Sequence, residues 1–300
     1  MNDTSAPDLF AAFSDRLAAL TALAAARTAT VHGRDGRARS GLLWAEGLVV
    51  TAEEALERDD ELALTLPDGR RVAATLAGRD PGTDVALLRA ATGPVPPVDL
   101  APPAGAAGSL AAGHLVLTVG RGEHGPLAAF GMVAQLAGPW RSLRGGRLER
   151  RIQLGFRLDP AAEGGAVLDH AGRLLGMAVP GPRRRALAIP AETIGRVVET
   201  LKATGRIARG YLGLALQPVR TEHGRGLITV GVDPLSPAGQ AGVLLGDVLV
   251  GWDGTPLTSV REMLARLDPD SIGREVTLDL IRAGLPRRLP VVIRERAVAE

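Results

Sequence analysis

Apolar and polar residues change rhythm several times along this chain. Over about residues 6–27, Leu9, Phe13, Leu17, Leu20 and Ala24 recur at steps of three and four, which predicts an amphipathic helix. From Ala29 to about Val119 the rhythm shortens. Thr28–His32 alternates and stops at Gly33-Arg34-Asp35-Gly36. Gly41–Trp44 and Leu48–Thr51 flank the Glu46-Gly47 turn, and Glu61–Leu66 and Arg71–Leu76 flank Pro67-Asp68-Gly69. Short apolar runs around such turns predict hairpins. With Val85–Arg89 added, the regular spacing predicts an all-β barrel or sandwich.

A Pro/Ala-rich stretch, Gly93–Ala107, reads as a surface connection to a second lobe. That lobe begins at Leu115–Gly120 and continues through Phe130–Ala134. Arg141–Arg151 and Arg183-Arg184-Arg185 are charge-rich and read as solvated loops. Between them a Gly-Gly pair opens Ala166–Leu168, the Asp169–Gly172 turn and the apolar run Arg173–Val179, a hairpin with a loop at its mouth. Pro190 suits a first helical position, and Ile194, Val197, Val198 and Leu201 form a stripe that ends near Gly205. This helix is the expected domain boundary.

Three hundred residues suit about two domains, and 46% hydrophobic content supports real cores. Aromatics make up only 3%, so Leu, Val and Ala build those cores. The absence of cysteine excludes disulfides, a thiolate nucleophile and Cys-ligated metals. A net charge of +2 with interspersed acids does not suggest nucleic-acid binding. No stretch approaches the roughly 20 apolar residues of a membrane span. Leu17–Ala26 has the length of a signal-peptide core, but Asp3, Asp8 and Asp15 precede it against Arg16 alone, the wrong sign. The expectation is a cytoplasmic protein, with a periplasmic or exported one as runner-up.

The loop Ala161-Ala162-Glu163-Gly164-Gly165-Ala166-Val167 resembles the nucleophile loop G-N-S-G-G-P-L of trypsin-like serine proteases of the HtrA/Deg family, with Glu163 at the serine. Ser40-Gly41-Leu42-Leu43 with Leu48–Thr51 resembles the segment that leads into the catalytic histidine, and Glu54 stands at that place. A slip of one residue would only substitute Glu53. Asp80–Arg89 resembles the family's D-x-x-x-D-L-A-V-L-K, so Asp84 keeps the identity of the triad acid. Gly210–Leu214, Ser236–Val243, Gly246–Leu249 and Asp253-Gly254 are similar to successive motifs of a PDZ domain. The resemblance covers about residues 28–295. It implies a mainly β fold: an N-terminal helix or oligomerisation segment (1–27), a trypsin-like double β-barrel (28–190), a linker helix (191–206) and a PDZ domain (207–300).

In the triad a serine hydroxyl attacks, a histidine takes its proton and an acid fixes the histidine. Glu163 has no such hydroxyl, and Glu54 has no serine to activate. The oxyanion loop Ala161, Ala162, Gly164, Gly165 has alanine where the family has a glycine two residues before the serine, and a Cβ disfavours left-handed backbone. His32, His114, His124, His170 and His223 occupy no family catalytic position and have no metal-motif spacing. No cofactor and no resident metal are implied. Glu54, Asp84 and Glu163 could together attract Ca²⁺ or Mg²⁺, but pairing with arginines or pointing apart is the preferred expectation. The reading is a pseudoprotease with a regulatory, scaffold or chaperone-like role. The alternatives are an active hydrolase using an altered site and an inert spacer for the PDZ module.

The resemblance also implies that protein or peptide C-termini are the partners. Tyr211, Leu212, Gly213 and Leu214, with Met263, Leu264 and Leu267 on a helix at Ser259–Leu267, would form an apolar pocket beside a carboxylate-binding loop. Met263 suits a tolerant pocket. Phe10 and Phe13 resemble the aromatic contacts of trimeric relatives, so a homo-oligomer, with a trimer possible, is expected; a lid over the barrel is the competing role.

Overall fold

The computed structural model describes residues 8–33, 37–56, 61–95, 99–101, 110–182, 185–222 and 224–295. Arg183-Arg184, His223 and most of the Gly93–Ala107 connection lie outside the described residues. The chain divides into two compact units, Met1–Ser142 with Gly146–Arg206, and Leu143–Gly145 with Ile207–Glu300.

The first unit opens with α1 (Leu9–Ala25), whose first N–H groups are capped by the Asp8 carboxylate. Only Leu20, Ala24 and Ala25 of this helix are buried. Leu9 and Phe10 are 80% exposed, so the first turn of the helix stands off the barrels. From Phe13 onward the apolar stripe is the side turned to the barrels, with Leu17 half-buried and Leu20 and Ala24 buried. Phe13 meets Phe130 edge-on at 5.3 Å.

Strands β1 (Thr28–His32), β2 (Ala38–Ala45), β3 (Leu48–Thr51), β4 (Ala63–Thr65), β5 (Arg71–Asp80) and β6 (Val85–Ala90) close a barrel in the order β1-β2-β3-β6-β5-β4. Its centre is aliphatic, with Val31, Val49, Leu64 and Leu88 fully buried. β7 (Leu115–Gly122), β8 (Gly125–Ala137), the short pair β9 (Trp140–Arg141) and β10 (Arg147–Leu148), β11 (Arg151–Arg157), β12 (Ala166–Asp169), β13 (Leu174–Pro180) and β14 (Arg185–Pro190) follow. All but β9 and β10 close a second barrel, β11-β14-β13-β12-β7-β8. Helix α2 (Ala191–Thr204) buries Ile194, Val197, Val198 and Leu201, each worth about 1.5–3 kcal/mol. It ends at Gly205, whose φ of 71° caps it. A charge at Val197 would break this packing.

The second unit contains β15 (Gly210–Tyr211), β16 (Leu214–Thr221), β17 (Gly224–Val232), α3 (Pro237–Gln240), β18 (Val248–Trp252), β19 (Thr255–Pro256), α4 (Val260–Arg266), β20 (Glu275–Arg282), β21 (Leu285–Val292) and β22 (Arg294–Glu295). The sheet runs β16-β17-β18-β20-β21, so β16 and β21 are its edges. Strand β21 has no counterpart in the sequence reading, and it contains Pro286 and Pro290. The two prolines are tolerated here because an edge leaves alternate N–H positions without a ladder partner. Ser259 caps α4 by accepting the Glu262 N–H at 3.2 Å.

Candidate functional site

Two places in the molecule are candidates, one in each unit. The first lies where the two barrels meet. Asp80 shapes the turn after β5: its carboxylate accepts the Gly82 N–H at 3.0 Å and the Thr83 hydroxyl at 2.7 Å. That turn presents Asp84 at a left-handed φ of 57°. The Asp84 carboxylate accepts the Glu54 N–H at 2.8 Å. Asp84 and Glu54 are thus joined through the backbone. The Glu54 side chain is exposed, whereas Glu53 is buried and pairs with Arg79 at 3.1 Å.

Glu163 is brought to the same place by a 3-10 turn, Pro160–Ala162, which leads into β12. Its carbonyl accepts the Ser40 N–H of β2 at 2.8 Å, tying the turn to the first barrel. Its carboxylate pairs with Arg39 at 3.1 Å, with side-chain exposures of 9% for Glu163 and 17% for Arg39. Ser40 Oγ donates to the Ala161 carbonyl at 2.6 Å and accepts the Arg121 N–H at 2.8 Å. The roles of Arg39, Ser40 and Arg121 are ones that sequence reasoning missed. Ser40 opens the Ser40–Leu43 motif and Arg39 precedes it, but their partners lie over 80 positions away.

The N–H groups of the expected oxyanion loop all have acceptors inside the chain. Ala161 donates to Asp159 Oδ1 at 2.8 Å, Ala162 to the Asp159 carbonyl at 2.9 Å and Glu163 to the Pro160 carbonyl at 3.3 Å. Gly164 and Gly165 donate to Ala178 and Ala162 at 2.8 and 2.9 Å. Asp159 acts as cap and Pro160 as first residue of the turn, a pairing that favours helical closure. Of the residues in this turn only Gly164 has a positive φ, 86°. A Cβ there would run into the Ser40 carbonyl.

Burial pushes the Asp84 carboxyl up to about 7; the charges of Glu54, Glu163 and Glu53 add to the rise and the Glu54 N–H opposes it. Burial also raises Glu163, while Arg39 pulls it back and Glu54 adds to the rise. Among the described residues no group of three imidazoles or carboxylates is arranged to hold a metal ion. Glu163 and Glu53 are each paired with an arginine, Arg39 and Arg79. The Nε2 of His32 bonds Thr65 Oγ1 at 2.8 Å, and His114 meets His170 edge-on at 6.1 Å. His124 lines an open cleft with Arg39, Asp159 and Ala161, a placement the sequence did not suggest.

The second place is a groove of about 240 Å³ between the Tyr211–Leu214 loop and α4. Tyr211, Leu212, Gly213, Leu214, Met263, Leu264 and Leu267 all line it. Leu212, Met263 and Leu267 are also core residues, while Leu214 and Leu264 are half-buried. Leu216 and Val260 line it as well and were missed. Their signal was in the spacing: Leu216 follows Leu214 by two on a strand, and Val260 precedes Leu264 by four on a helix. Helix α3 braces the loop, with the Ala238 N–H on the Leu212 carbonyl at 3.0 Å. The Asp233 N–H holds the Gly213 carbonyl at 2.9 Å, and the Tyr211 hydroxyl reaches Asp233 Oδ2 at 3.0 Å. Gly213 has φ 77°, and a Cβ on it would collide with Ser236. Beside the loop, the free edge of β16 runs along the groove.

Residues 39–177 match the trypsin-like peptidase domain family, and residues 210–293 match the PDZ domain family. Protease Do-like 1, chloroplastic, of Arabidopsis thaliana is 27% identical over 280 residues, covering 85% of this chain and 63% of that protein. Serine endoprotease DegS of Haemophilus influenzae is 25% identical, covering 83% and 74%. A probable periplasmic serine endoprotease DegP-like of Bartonella henselae is 30% identical, covering 82% and 50%. The chain therefore spans between half and three quarters of these relatives. Among solved structures, the serine endoprotease from Yersinia pestis superposes with a TM-score of 0.73 at 23% identity, covering 94% of this chain and 98% of that one. HtrA-type protease AlgW with decapeptide gives 0.72 at 22%, covering 94% and 99%. At such identities these two structures show the shared fold. No helix among the described residues is long and apolar enough to cross a membrane. The chloroplastic and periplasmic names of the relatives lend no support to a cytoplasmic location.

Proposed function

The chain belongs to the HtrA family, a trypsin-like peptidase domain followed by a PDZ domain, and from that premise we propose that it keeps the peptidase scaffold without the peptidase chemistry and acts by binding protein C-termini. One observation carries the reading. Glu163, which by resemblance takes the nucleophile's place, is paired with Arg39 in a turn whose N–H groups from 161 to 165 already have acceptors. Acyl transfer needs an activated nucleophile and donors aimed at the developing oxyanion. This turn offers neither. Glu54 and Asp84 are then vestiges of base and acid.

The groove supports the binding half of the proposal. A loop turned by Gly213, an apolar pocket and a free edge strand are the elements by which a sheet takes up an extended peptide. AlgW, a protein of the same fold, is described with a decapeptide and with a tripeptide, and a peptide is the kind of ligand proposed for the groove here. A regulatory, scaffold or chaperone-like role follows, in an exported setting like that of the relatives. Assembly into a homo-oligomer belongs to the same reading. Leu9 and Phe10 on α1, and Phe130 and Met132 on the outer face of β8, form exposed apolar surface that a second copy would cover. A monomer mass by light scattering at micromolar concentration would remove that part.

A second reading, a hydrolase working through carboxylates, draws on the relatives' names as endoproteases and on Asp84, whose raised pKa leaves it able to exchange a proton near neutral pH. One assay separates the two. Casein and fluorogenic peptides incubated with purified protein should read as buffer alone; turnover that Glu163→Ala abolishes would establish the hydrolase instead. For the groove, free-acid peptides should bind and their C-terminal amides should not. A partner pull-down with the PDZ domain deleted distinguishes a spacer role for the barrels, in which every partner is lost.

A further inference from the structure

We infer that Pro218 ends the groove, so that this chain reads only about the last four residues of a partner's C-terminus. The inference rests on the C-terminus reading proposed above and sharpens it. It follows from the direction in which each residue of β16 points its backbone.

In β17 the Thr229 N–H donates to the Asp247 carbonyl at 2.8 Å, and its own carbonyl accepts the Gly246 N–H at 2.9 Å. Thr229 therefore turns its backbone polar groups toward β18. Successive residues of a strand alternate, so Leu227 does the same. Leu216 is paired with Thr229 and Pro218 with Leu227. Both pairs lack mutual hydrogen bonds, and Leu216 and Pro218 must direct their backbone groups to the free edge. Gly213 accepts from Asp233 on the β17 side, which puts Leu214 in the same outward set.

An added strand, antiparallel and with its carboxylate at the Tyr211–Gly213 loop, meets Leu214 with its last residue. Two residues earlier it meets Leu216, and four residues earlier Pro218. Leu214 and Leu216 each offer an N–H and a carbonyl. Pro218 offers a ring carbon where the N–H should be, facing the incoming peptide carbonyl. The ladder stops there. The side chains agree: Leu214 and Leu216 line the groove and Pro218 does not.

The test uses the full chain and fluorescent free-acid heptapeptides with an apolar last residue. The tightest is shortened from its N-terminus to three residues. Affinity should stay within about twofold from seven residues to four. Pro218→Ala should raise affinity for the seven-residue peptide about fivefold, the worth of one net hydrogen bond, without improving the four-residue one. On the unaltered protein, N-methylation at the fifth residue from the end should cost under about twofold, and at the third residue more than about tenfold. A steady loss of affinity from seven residues to four, or equal costs at both methylation sites, overturns the role of Pro218 and leaves C-terminus recognition standing. Amides that bind as well as acids overturn both.

Discussion

The barrel cleft and the groove of the PDZ domain are both built around a loop turned by glycine, and they differ in what that loop offers. In the cleft, Gly164 at φ 86° holds the turn against the Ser40 carbonyl, and the N–H groups around it are spent on Asp159, Pro160, Ala162 and Ala178. In the groove, Gly213 at φ 77° turns the chain into an edge strand whose outward backbone groups face solvent. Catalysis needs particular side chains as well as placed donors, so a few replacements end it. Strand addition needs mostly backbone and apolar surface, which tolerate wide sequence change. A chain about a quarter identical to its relatives can therefore lose the first use and keep the second.

The largest effect that would break this comparison is at Gly213. Gly213→Ala places a Cβ against Ser236 at a backbone angle that L-residues avoid. Binding of free-acid peptides should fall by more than about tenfold, the loss of the main-chain contacts at the carboxylate loop. Fluorescence polarisation measures it. Near-normal affinity would mean that the loop is not the recognition element.

Next in size is the Arg39–Glu163 pair. Removing one partner of a buried pair is costly because it strands the other, and the slight exposure of both side chains moderates the cost. Arg39→Ala should lower stability by about 2 kcal/mol in urea unfolding. Adding Glu163→Gln should recover most of it, since no charge is then left unpaired. A loss in the double variant equal to that in the single one would show that Arg39 acts by packing instead.

A smaller, pH-dependent effect is expected at Asp84. Its pKa is raised on folding, from near 4 in an unfolded chain to about 7. The unfolded state therefore loses its proton first, and ionisation costs stability as pH rises through that window. The raised carboxyl of Glu163 acts in the same direction. Asp84→Asn keeps an acceptor for the Glu54 N–H without the charge. It should leave the melting temperature unchanged near pH 4 and raise it by several degrees at pH 8, at about 2–4 °C per kcal/mol. Equal melting shifts at both pH values would remove the electrostatic account.

Much of the fold was legible because barrels and PDZ-like sheets repeat short apolar runs and turn residues that sequence carries locally. Thr28–His32, Leu48–Thr51 and the helix ending at Gly205 stand where the pattern puts them. The positions of Glu54, Asp84 and Glu163 were legible by resemblance, and their electrostatic coupling follows from the fold. What was not legible is long-range. Nothing in the run Glu53-Glu54 says which carboxylate turns inward, and Arg79 settles that from 26 positions away. Arg39 finds Glu163 across 124 positions. Asp159 is local, two residues before Ala161, and reads as a cap only once the turn is known to be 3-10.

The smallest expected effect is the most direct test of the proposed loss of catalysis. Glu54→His with Glu163→Ser supplies a base and a nucleophile, and Asp84 already bonds the backbone at residue 54. Peptidase activity should nonetheless stay at the level of buffer. The N–H groups of Ala161 and Glu163 remain committed to Asp159 and Pro160, and loss of a single oxyanion donor already costs about 10²–10³ in rate. Extending the pair with Asp159→Ala and Ala161→Gly removes the cap and lets the backbone turn outward. Fluorogenic-peptide turnover should first become measurable in that fourfold variant. Turnover in the simple pair would mean that substrate itself opens the 3-10 turn, and the cleft would then have lost its side chains but kept its backbone, as the groove has.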